Sequence, residues 1–537
     1  MNKKIQTKII RELLDKNVRT NQEFYLMNRR ISGRFDLPPQ PKNELRSVYQ
    51  ELVKRKKIGP RKRLEQLLKV RATRTLSGVT PVTVLTKPYP CPGKCVYCPL
   101  EPGMPKSYLS TEPGAMRALA NKFDPFNQVF NRMKALAING HEPDKIELLV
   151  LGGTWSAYPW DYQRWFIKRC FEAANYFPYK VEGKRIPKTL RSYNLEKAQR
   201  VNETAAHRII GITLETRPDW VTEKETKRLR ELGCTRVQLG IQILDDKILD
   251  LIIRGHHVSD SITATRRLRE NGFKIDFHIM QNLPGATPAK DKKTLQRVFQ
   301  DPDFRPDQIK IYPTIVNKYA PLYEWWKSGK YKPYPETKLF DLLIELKQLV
   351  PYYCRINRLI RDIPKESIQA GNKITNLREM LQAELKRRHL RCRCIRCREA
   401  KNNTKDVGKE KLFVDQYKAG RGTEYFISLE NKDHTTIFGF VRLRLNSKNN
   451  QVLFPELGGA ALVRELHVYG QLVRHGATMK DKIQHRGLGM KLMGEAERIA
   501  KTKGYKKMAV ISGIGVREYY RKKLGYKLEG TYMVKKL

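Results

Sequence analysis

The sequence predicts an α/β fold: a partial barrel of six βα units, preceded by a basic helical module and followed by a separate α+β domain. Three observations carry this. From Pro81 to about Pro313, short β-branched or apolar runs alternate with helical stretches, the pattern of repeated βα units. After a basic, poorly apolar segment at 386–411, the order of strands and helices changes. Residues 1–74 hold 21 Lys or Arg against 7 Asp or Glu, a net charge of +14. The expected boundaries are therefore 1–74, 75–385, 386–411 and 412–537.

In the first module, 2–15 and 45–70 read as amphipathic helices, with Ile9 and Leu13, then Leu64, Leu67 and Leu68, at helical spacing. Lys54, Arg55 and Lys56 precede Gly59-Pro60, and Arg61 and Arg63 follow it, so the charge belongs to a helix-loop-helix. Candidate barrel strands are 82–85, 146–151, 209–214, 236–240, 274–280 and 309–312. Six units suit a partial barrel with its reactive groups at the C-terminal strand ends; a doubly wound open sheet is the competing arrangement. Beyond 411, strands are expected at 425–429, 437–445 and 462–467, a helix at 489–503, a strand at 508–512, a helix near 516–523 and a terminal strand pair.

The chain has 537 residues and a formal charge of +50, from 105 Lys or Arg against 55 Asp or Glu. A field of that sign concentrates polyanions, and nucleic acid is the expected partner; a solvated surface suited to high internal salt is the alternative. Hydrophobic content of 40%, with six Trp and 25 Tyr, excludes wholesale disorder. Neither a signal peptide nor a membrane span is expected. Six of the nine Cys crowd into two triplets, which favours metal chemistry in a reducing cytoplasm over a disulfide framework.

The first triplet, Cys91-Pro-Gly-Lys-Cys95-Val-Tyr-Cys98, follows the first candidate strand. Three thiolates can ligate three irons of a 4Fe-4S cluster and leave the fourth iron open; zinc is the other metal, and would need a fourth ligand. The spacing resembles the radical S-adenosylmethionine (SAM) enzymes, which place an aromatic residue where Tyr97 stands. The resemblance implies SAM contacts at Gly152 and Gly153, at Glu215 and Arg217, and at Gln242, all near C-terminal ends of candidate strands.

Gln484-His485-Arg486-Gly487-Leu488-Gly489 opens a helical stretch. Such a turn offers free N–H groups and the positive helix end to a pyrophosphate, and it resembles the acetyl-coenzyme A loop of GNAT acetyltransferases. Tyr519, of the pair Tyr519-Tyr520, is placed to protonate the coenzyme A thiolate or position the thioester; an aromatic core pair is the plain alternative.

A radical-SAM half and a GNAT half in one chain resemble the family of Elongator catalytic subunits in its short prokaryotic form. Thr111-Glu112-Pro113, the stretch 211–219, Phe304-Arg305-Pro306-Asp307, Lys310-Ile311-Tyr312-Pro313-Thr314, Arg361-Asp362-Ile363-Pro364 and the stretch 464–470 carry the resemblance. It implies that a deoxyadenosyl radical takes hydrogen from the acetyl methyl of acetyl-coenzyme A. The carbon radical then adds to C5 of tRNA uridine 34, and thioester hydrolysis leaves 5-carboxymethyluridine. The residues implied for acetyl-coenzyme A are Lys145, Glu465, Leu466, His467, Val468, Gln484, Gly487, Leu488, Gly489 and Tyr519. Lys310 is expected at the reacting centre. The second triplet, Cys392, Cys394 and Cys397, resembles the zinc-binding linker of prokaryotic members, with Cys354 or His389 as candidate fourth ligand. Lys54, Arg55, Lys56, Arg61 and Arg63 are the expected tRNA contacts. Gln281 departs from the family pattern, which has Pro there. Expected partners are tRNA, SAM, acetyl-coenzyme A and an external electron donor, with a homodimer left open and no membrane. A protein lysine acetyltransferase with a structural iron-sulfur half is the competing function, and a +50 chain is a poor match for a Lys-rich substrate.

Overall fold

The computed structural model describes residues 2–70, 78–400, 408–447, 450, 452–469 and 487–537. The basic module is four helices, α1 (Asn2–Asp15), α2 (Asn21–Gly33), α3 (Lys42–Lys54) and α4 (Lys62–Leu67). Ile9, Leu13, Phe24, Ile31, Leu45 and Leu64 form its own small core. The break at Gly59-Pro60 separates α3 from α4 as expected, while α2 was not anticipated.

The barrel strands are β1 (Thr80–Leu85), β2 (Lys145–Leu151), β3 (Arg208–Thr216), β4 (Arg236–Gln242), β5 (Lys274–Ile279) and β6 (Gln308–Ile311). A short pair, β7 (Ile315–Val316) and β9 (Ala370–Gly371), flanks a seventh barrel strand, β8 (Arg355–Arg358). The sheet is parallel throughout in the order β1-β2-β3-β4-β5-β6-β8, and β1 and β8 are its edges. The barrel is thus open, and it has seven strands where six were expected. Asp124, Asn194, Thr222 and Thr287 start its helices by accepting the backbone N–H three residues on.

Strand periodicity decides what the barrel encloses. On β2, Ile146, Leu148 and Val150 are buried in the main core, while Lys145, Glu147, Leu149 and Leu151 face the lumen.

The second sheet comprises β10 (Lys411–Ala419), β11 (Gly422–Glu430), β12 (Ile437–Asn446), β13 (Ala460–Val468), β14 (Lys507–Val510), β15 (Lys527–Glu529) and β16 (Tyr532–Lys536), in the order β10-β11-β12-β13-β14-β16-β15. All pairs are antiparallel except β13 with β14. This sheet is docked tightly on the barrel: a Cβ at Gly513 or Gly515 would overlap the β3 backbone at Ile210 or Ile209. Arg464 donates to Asp307 across the same junction at 3.0 Å and to Phe273 O at 2.8 Å. Of the segment expected as a linker, Cys392, Cys394, Ile395 and Ala400 are packed in the core, with Ile395 N donating to Cys354 O at 3.0 Å.

Candidate active site

The first cysteine triplet lies in the loop after β1, pinned by Val96, whose N–H donates to Ile252 O (3.1 Å) and whose carbonyl accepts from Leu322 (2.8 Å). Arg254 donates to the Cys95 sulfur at 3.4 Å and to Gly240 O at 2.7 Å. Burial opposes ionisation of Cys95, but the Arg254 charge and hydrogen bond outweigh it and hold the thiol below its usual range. Cys98 is pushed up to about 12 by burial and by the Cys95 charge. The Arg217 guanidinium occupies the space a Cβ at Gly93 would need; it is fixed by Asp219 at 2.9 and 3.0 Å and by Gly255 O at 2.8 Å.

Gly152 and Gly153 follow β2 with φ of +136° and +93°, and a Cβ at Gly152 would overlap the Thr86 hydroxyl. Thr154, next in the chain, approaches the Cys91 sulfur at 3.5 Å. Around the loop, Arg217 Nη1, Gln242 Oε1 and Arg254 Nε are buried without a hydrogen-bond partner. Buried polar atoms of this kind call for an occupant. Three thiols with a cationic rim and orphaned donors and acceptors fit an iron-sulfur cluster bearing a polar ligand.

A cavity of about 1720 Å³ runs from this loop through the barrel to the C-terminal sheet, larger than the roughly 300–1,000 Å³ of a single small-molecule site. Its wall is polar. Arg236 and Gln238 on β4, Lys274 and His278 on β5, and Gln308 and Lys310 on β6 all face it. Arg236 spans the lumen, meeting Glu147 on β2 at 2.6 Å, Gln308 at 3.1 Å and Thr213 at 2.9 Å. Asn357 on β8 donates to Gln308 at 2.6 Å and to Asp276 at 2.7 Å. Lys310 donates to the Gln238 carbonyl at 2.6 Å, and burial lowers its ammonium to about 8 although Asp276 and Glu215 oppose the shift. Nearer the cysteine loop, Glu215 accepts from Tyr108 at 3.2 Å, and its carboxyl is raised by burial against the Lys310 charge. Burial and Lys310 keep His278 neutral.

At the other end, Lys145, Glu465, Leu466, His467, Val468 and Tyr519 line the same cavity, with Gly487 and Gly489. Gly487 caps the helix Leu488–Thr502 with φ +74°, a conformation that favours glycine. Leu488 is buried and does not face the cavity, and Gln484 lies outside the described residues. A Cβ on Gly489 would stand 2.8 Å from the Tyr519 hydroxyl, so the tyrosine lies over the helix start. Burial raises the Tyr519 hydroxyl, so it carries its proton at neutral pH.

Cys392, Cys394 and Cys397 bring their sulfurs within 4.8 Å of one another, the one such metal-type group among the described residues. Hydrogen bonds from Cys392 and Cys397 hold Cys394 well below its usual range. Neither Cys354 nor the exposed His389 joins the group. Lys54, Arg55, Lys56, Arg61 and Arg63 are exposed at the α3–α4 turn. Gln281 is buried, and its carbonyl accepts from Thr314 N–H (2.9 Å) and Oγ1 (2.8 Å), which fixes the loop without the expected Pro.

Sequence reasoning missed Arg254, His256 and the lumen residues Glu147, Arg236, Gln238, Asp276 and Asn357. For the lumen a signal existed: polar residues at every second position of Lys145-Ile-Glu147, Arg236-Val-Gln238, Lys274-Ile-Asp276 and Gln308-Ile-Lys310.

An open parallel barrel with a three-cysteine loop at its C-terminal edge defines a radical SAM protein. The sequence model of the Radical SAM superfamily matches residues 89–298, and that of the Radical_SAM C-terminal domain matches 306–387. The chain is 44% identical to "tRNA uridine(34) acetyltransferase" of Dehalococcoides mccartyi (strain CBDB1), covering 87% of this chain and 99% of that one. It is 38% identical to "Elongator complex protein 3" of Homo sapiens, covering 89% and 87%. The solved structure of archaeal Methanocaldococcus infernus Elp3 with an N-terminal deletion superposes with a TM-score of 0.73 at 40% identity, covering 86% of this chain and all of that one. The chain belongs to the family of tRNA uridine(34) acetyltransferases and Elongator complex protein 3.

Proposed function

We propose that the protein modifies the tRNA wobble uridine, joining the acetyl methyl carbon of acetyl-coenzyme A to C5 of uridine 34 and giving 5-carboxymethyluridine. The observation that carries this is the single cavity joining the cysteine loop to Tyr519 and Gly489. A protein lysine acetyltransferase has no use for a passage from its thioester to a radical centre. The names of the relatives support the same reading.

In this reading Cys91, Cys95 and Cys98 hold the 4Fe-4S cluster. Gly152, Gly153, Glu215, Arg217 and Gln242 hold SAM. A cluster held by these thiols would supply, once reduced by an external donor, the electron for reductive cleavage of SAM. Lys310 presents an ammonium to the reacting groups from the middle of the lumen. The C-terminal domain is of the GNAT type: β13 pairs with β14 only up to Val463, leaving Glu465 to Val468 to meet the thioester, and the helix start at Gly487 to Gly489 meets the pyrophosphate. Tyr519 returns a proton to the leaving thiolate. Cys392, Cys394 and Cys397 hold zinc with a fourth ligand still to be assigned.

The test is mass spectrometry of nucleosides from tRNA incubated anaerobically with the protein, SAM, acetyl-coenzyme A and a reductant. 5-Carboxymethyluridine dependent on all four supports the proposal; unmodified tRNA alongside acetylated lysines overturns it.

The basic module acts as a tRNA grip. Each phosphate contact releases counterions, so neutralising Lys54, Arg55, Lys56, Arg61 and Arg63 together should flatten the slope of log affinity against log salt by up to about 0.9 per lost contact. Filter binding across salt concentrations checks this, and an unchanged slope moves the grip elsewhere.

A further inference from the structure

We propose that the barrel lumen is the binding site for the acyl-thioester arm, so that the acetyl group reaches the cysteine loop through the inside of the barrel. This rests on the functional reading above, which places acetyl-coenzyme A at the C-terminal sheet and radical formation at the cysteine loop.

Parallel barrels ordinarily fill their interior with layers of bulky aliphatic side chains. Here the interior is hollow, and polar side chains stand among the apolar ones on its wall. Keeping Arg236 and Lys310 inside it sacrifices hydrophobic packing and desolvates charge, which calls for an occupant. The wall matches an acyl-pantetheine chain in kind. Thr83, Leu149 and Leu151 give one side an apolar surface, while Arg236, Gln308 and Lys310 give the other hydrogen-bond donors and acceptors. At the N-terminal rim, Lys145, Lys274 and Arg355 line the mouth, with Lys274 3.9 Å from Glu465 and Arg355 paired with Glu399.

Among the described residues, the seam between barrel and C-terminal sheet is tightly packed at two places. Gly513 and Gly515 touch the β3 backbone. Arg442 and Arg464 are buried against Asp307 and against the carbonyls of Tyr353 and Phe273. Separating the two sheets would expose this whole network. Arg236, held to Glu147 at 2.6 Å across the lumen, forms the neck of the passage and is a positioning residue for the arm.

Leu149 faces the lumen beside that neck. Leu149→Cys in cluster-loaded protein, treated anaerobically with bromoacetyl-coenzyme A, tests the path: the thiolate displaces bromide, a C–S bond replaces the C–Br bond, and peptide mass mapping locates the adduct. Alkylation at position 149 should be saturable, on the order of tenfold or more faster than with bromoacetamide, as a bound reagent's effective concentration requires, and slowed by acetyl-coenzyme A. Leu149→Trp, which plugs the passage, should retain the wild-type iron content and cluster spectrum while carboxymethylation of tRNA falls at least tenfold. Equal rates with the two bromides, or full transfer by the Trp variant, overturns the lumen path. If wild type itself binds no acetyl-coenzyme A, it is the functional reading that fails. Should the Trp variant not fold, the Cys variant decides alone.

Discussion

Replacing Cys95 by Ala should abolish the iron-sulfur chromophore and lower SAM cleavage by roughly 10³-fold or more, the scale on which removal of an essential group acts. Cys95 is the buried member of its triplet and the one whose sulfur Arg254 contacts at 3.4 Å. Its loss removes a proposed ligand and also the sulfur that Arg254 contacts. Cys91 and Cys98 alone cannot hold a cluster with one open iron, because two thiolates leave two irons unsupported. Iron analysis and low-temperature electron paramagnetic resonance of the reconstituted variant check this. A variant that retains the cluster spectrum and its response to SAM would remove Cys95 from the ligand set.

The second large effect is on stability. Asp307→Asn is expected to destabilise the chain by about 3–5 kcal/mol, the cost of breaking a buried ion pair on one side. Asp307 accepts from Arg464 at 3.0 Å and from Ile275 N at 2.9 Å, and lies 3.5 Å from Arg442. Arg464 also meets Glu424 at 3.0 Å, and Arg442 meets Glu465 at 2.9 Å. Asn keeps the shape but leaves the two arginines short of one negative charge. Burial alone would raise the Asp307 carboxyl, but the Arg464 and Arg442 charges hold it down to about 2. A carboxyl lowered below its unfolded value of about 3.9 stabilises the fold above that pH, and the contribution is lost as pH falls through the folded value. Wild type should therefore lose stability between about pH 4 and pH 2 more steeply than Asp307→Asn. Thermal melts across that range measure the difference, and parallel curves would contradict it.

Sequence made the barrel legible where strands carry β-branched runs, as in Ile146 to Leu151 and Ile209 to Leu214. It hid β8, because Arg355-Ile-Asn-Arg358 is four residues with one apolar member. The strand β10 was hidden too: Lys411 to Ala419 lacks a regular alternation of polar and apolar residues and lies on an edge where only Ala419 is buried. The cysteine loop and the Gly487 turn were readable because their chemistry lies in consecutive residues. Arg254 and His256 were not, since their approach to Cys95 and Arg217 depends on how β4 and its following helix return beneath the loop. Asp307 was visible within Phe304-Arg305-Pro306-Asp307, yet its partners Arg442 and Arg464 come from the other sheet and emerge only in three dimensions.

On the proposed function, one chain carries carbon from a thioester at one end of a cavity to a base at the other through a radical. Trideuterated acetyl-coenzyme A tests it most directly, in a reaction with SAM, reductant and tRNA analysed by mass spectrometry. One deuterium is expected in the 5′-deoxyadenosine and two in the carboxymethyl group of uridine 34. Unlabelled 5′-deoxyadenosine together with a modified uridine that retains no deuterium would contradict it.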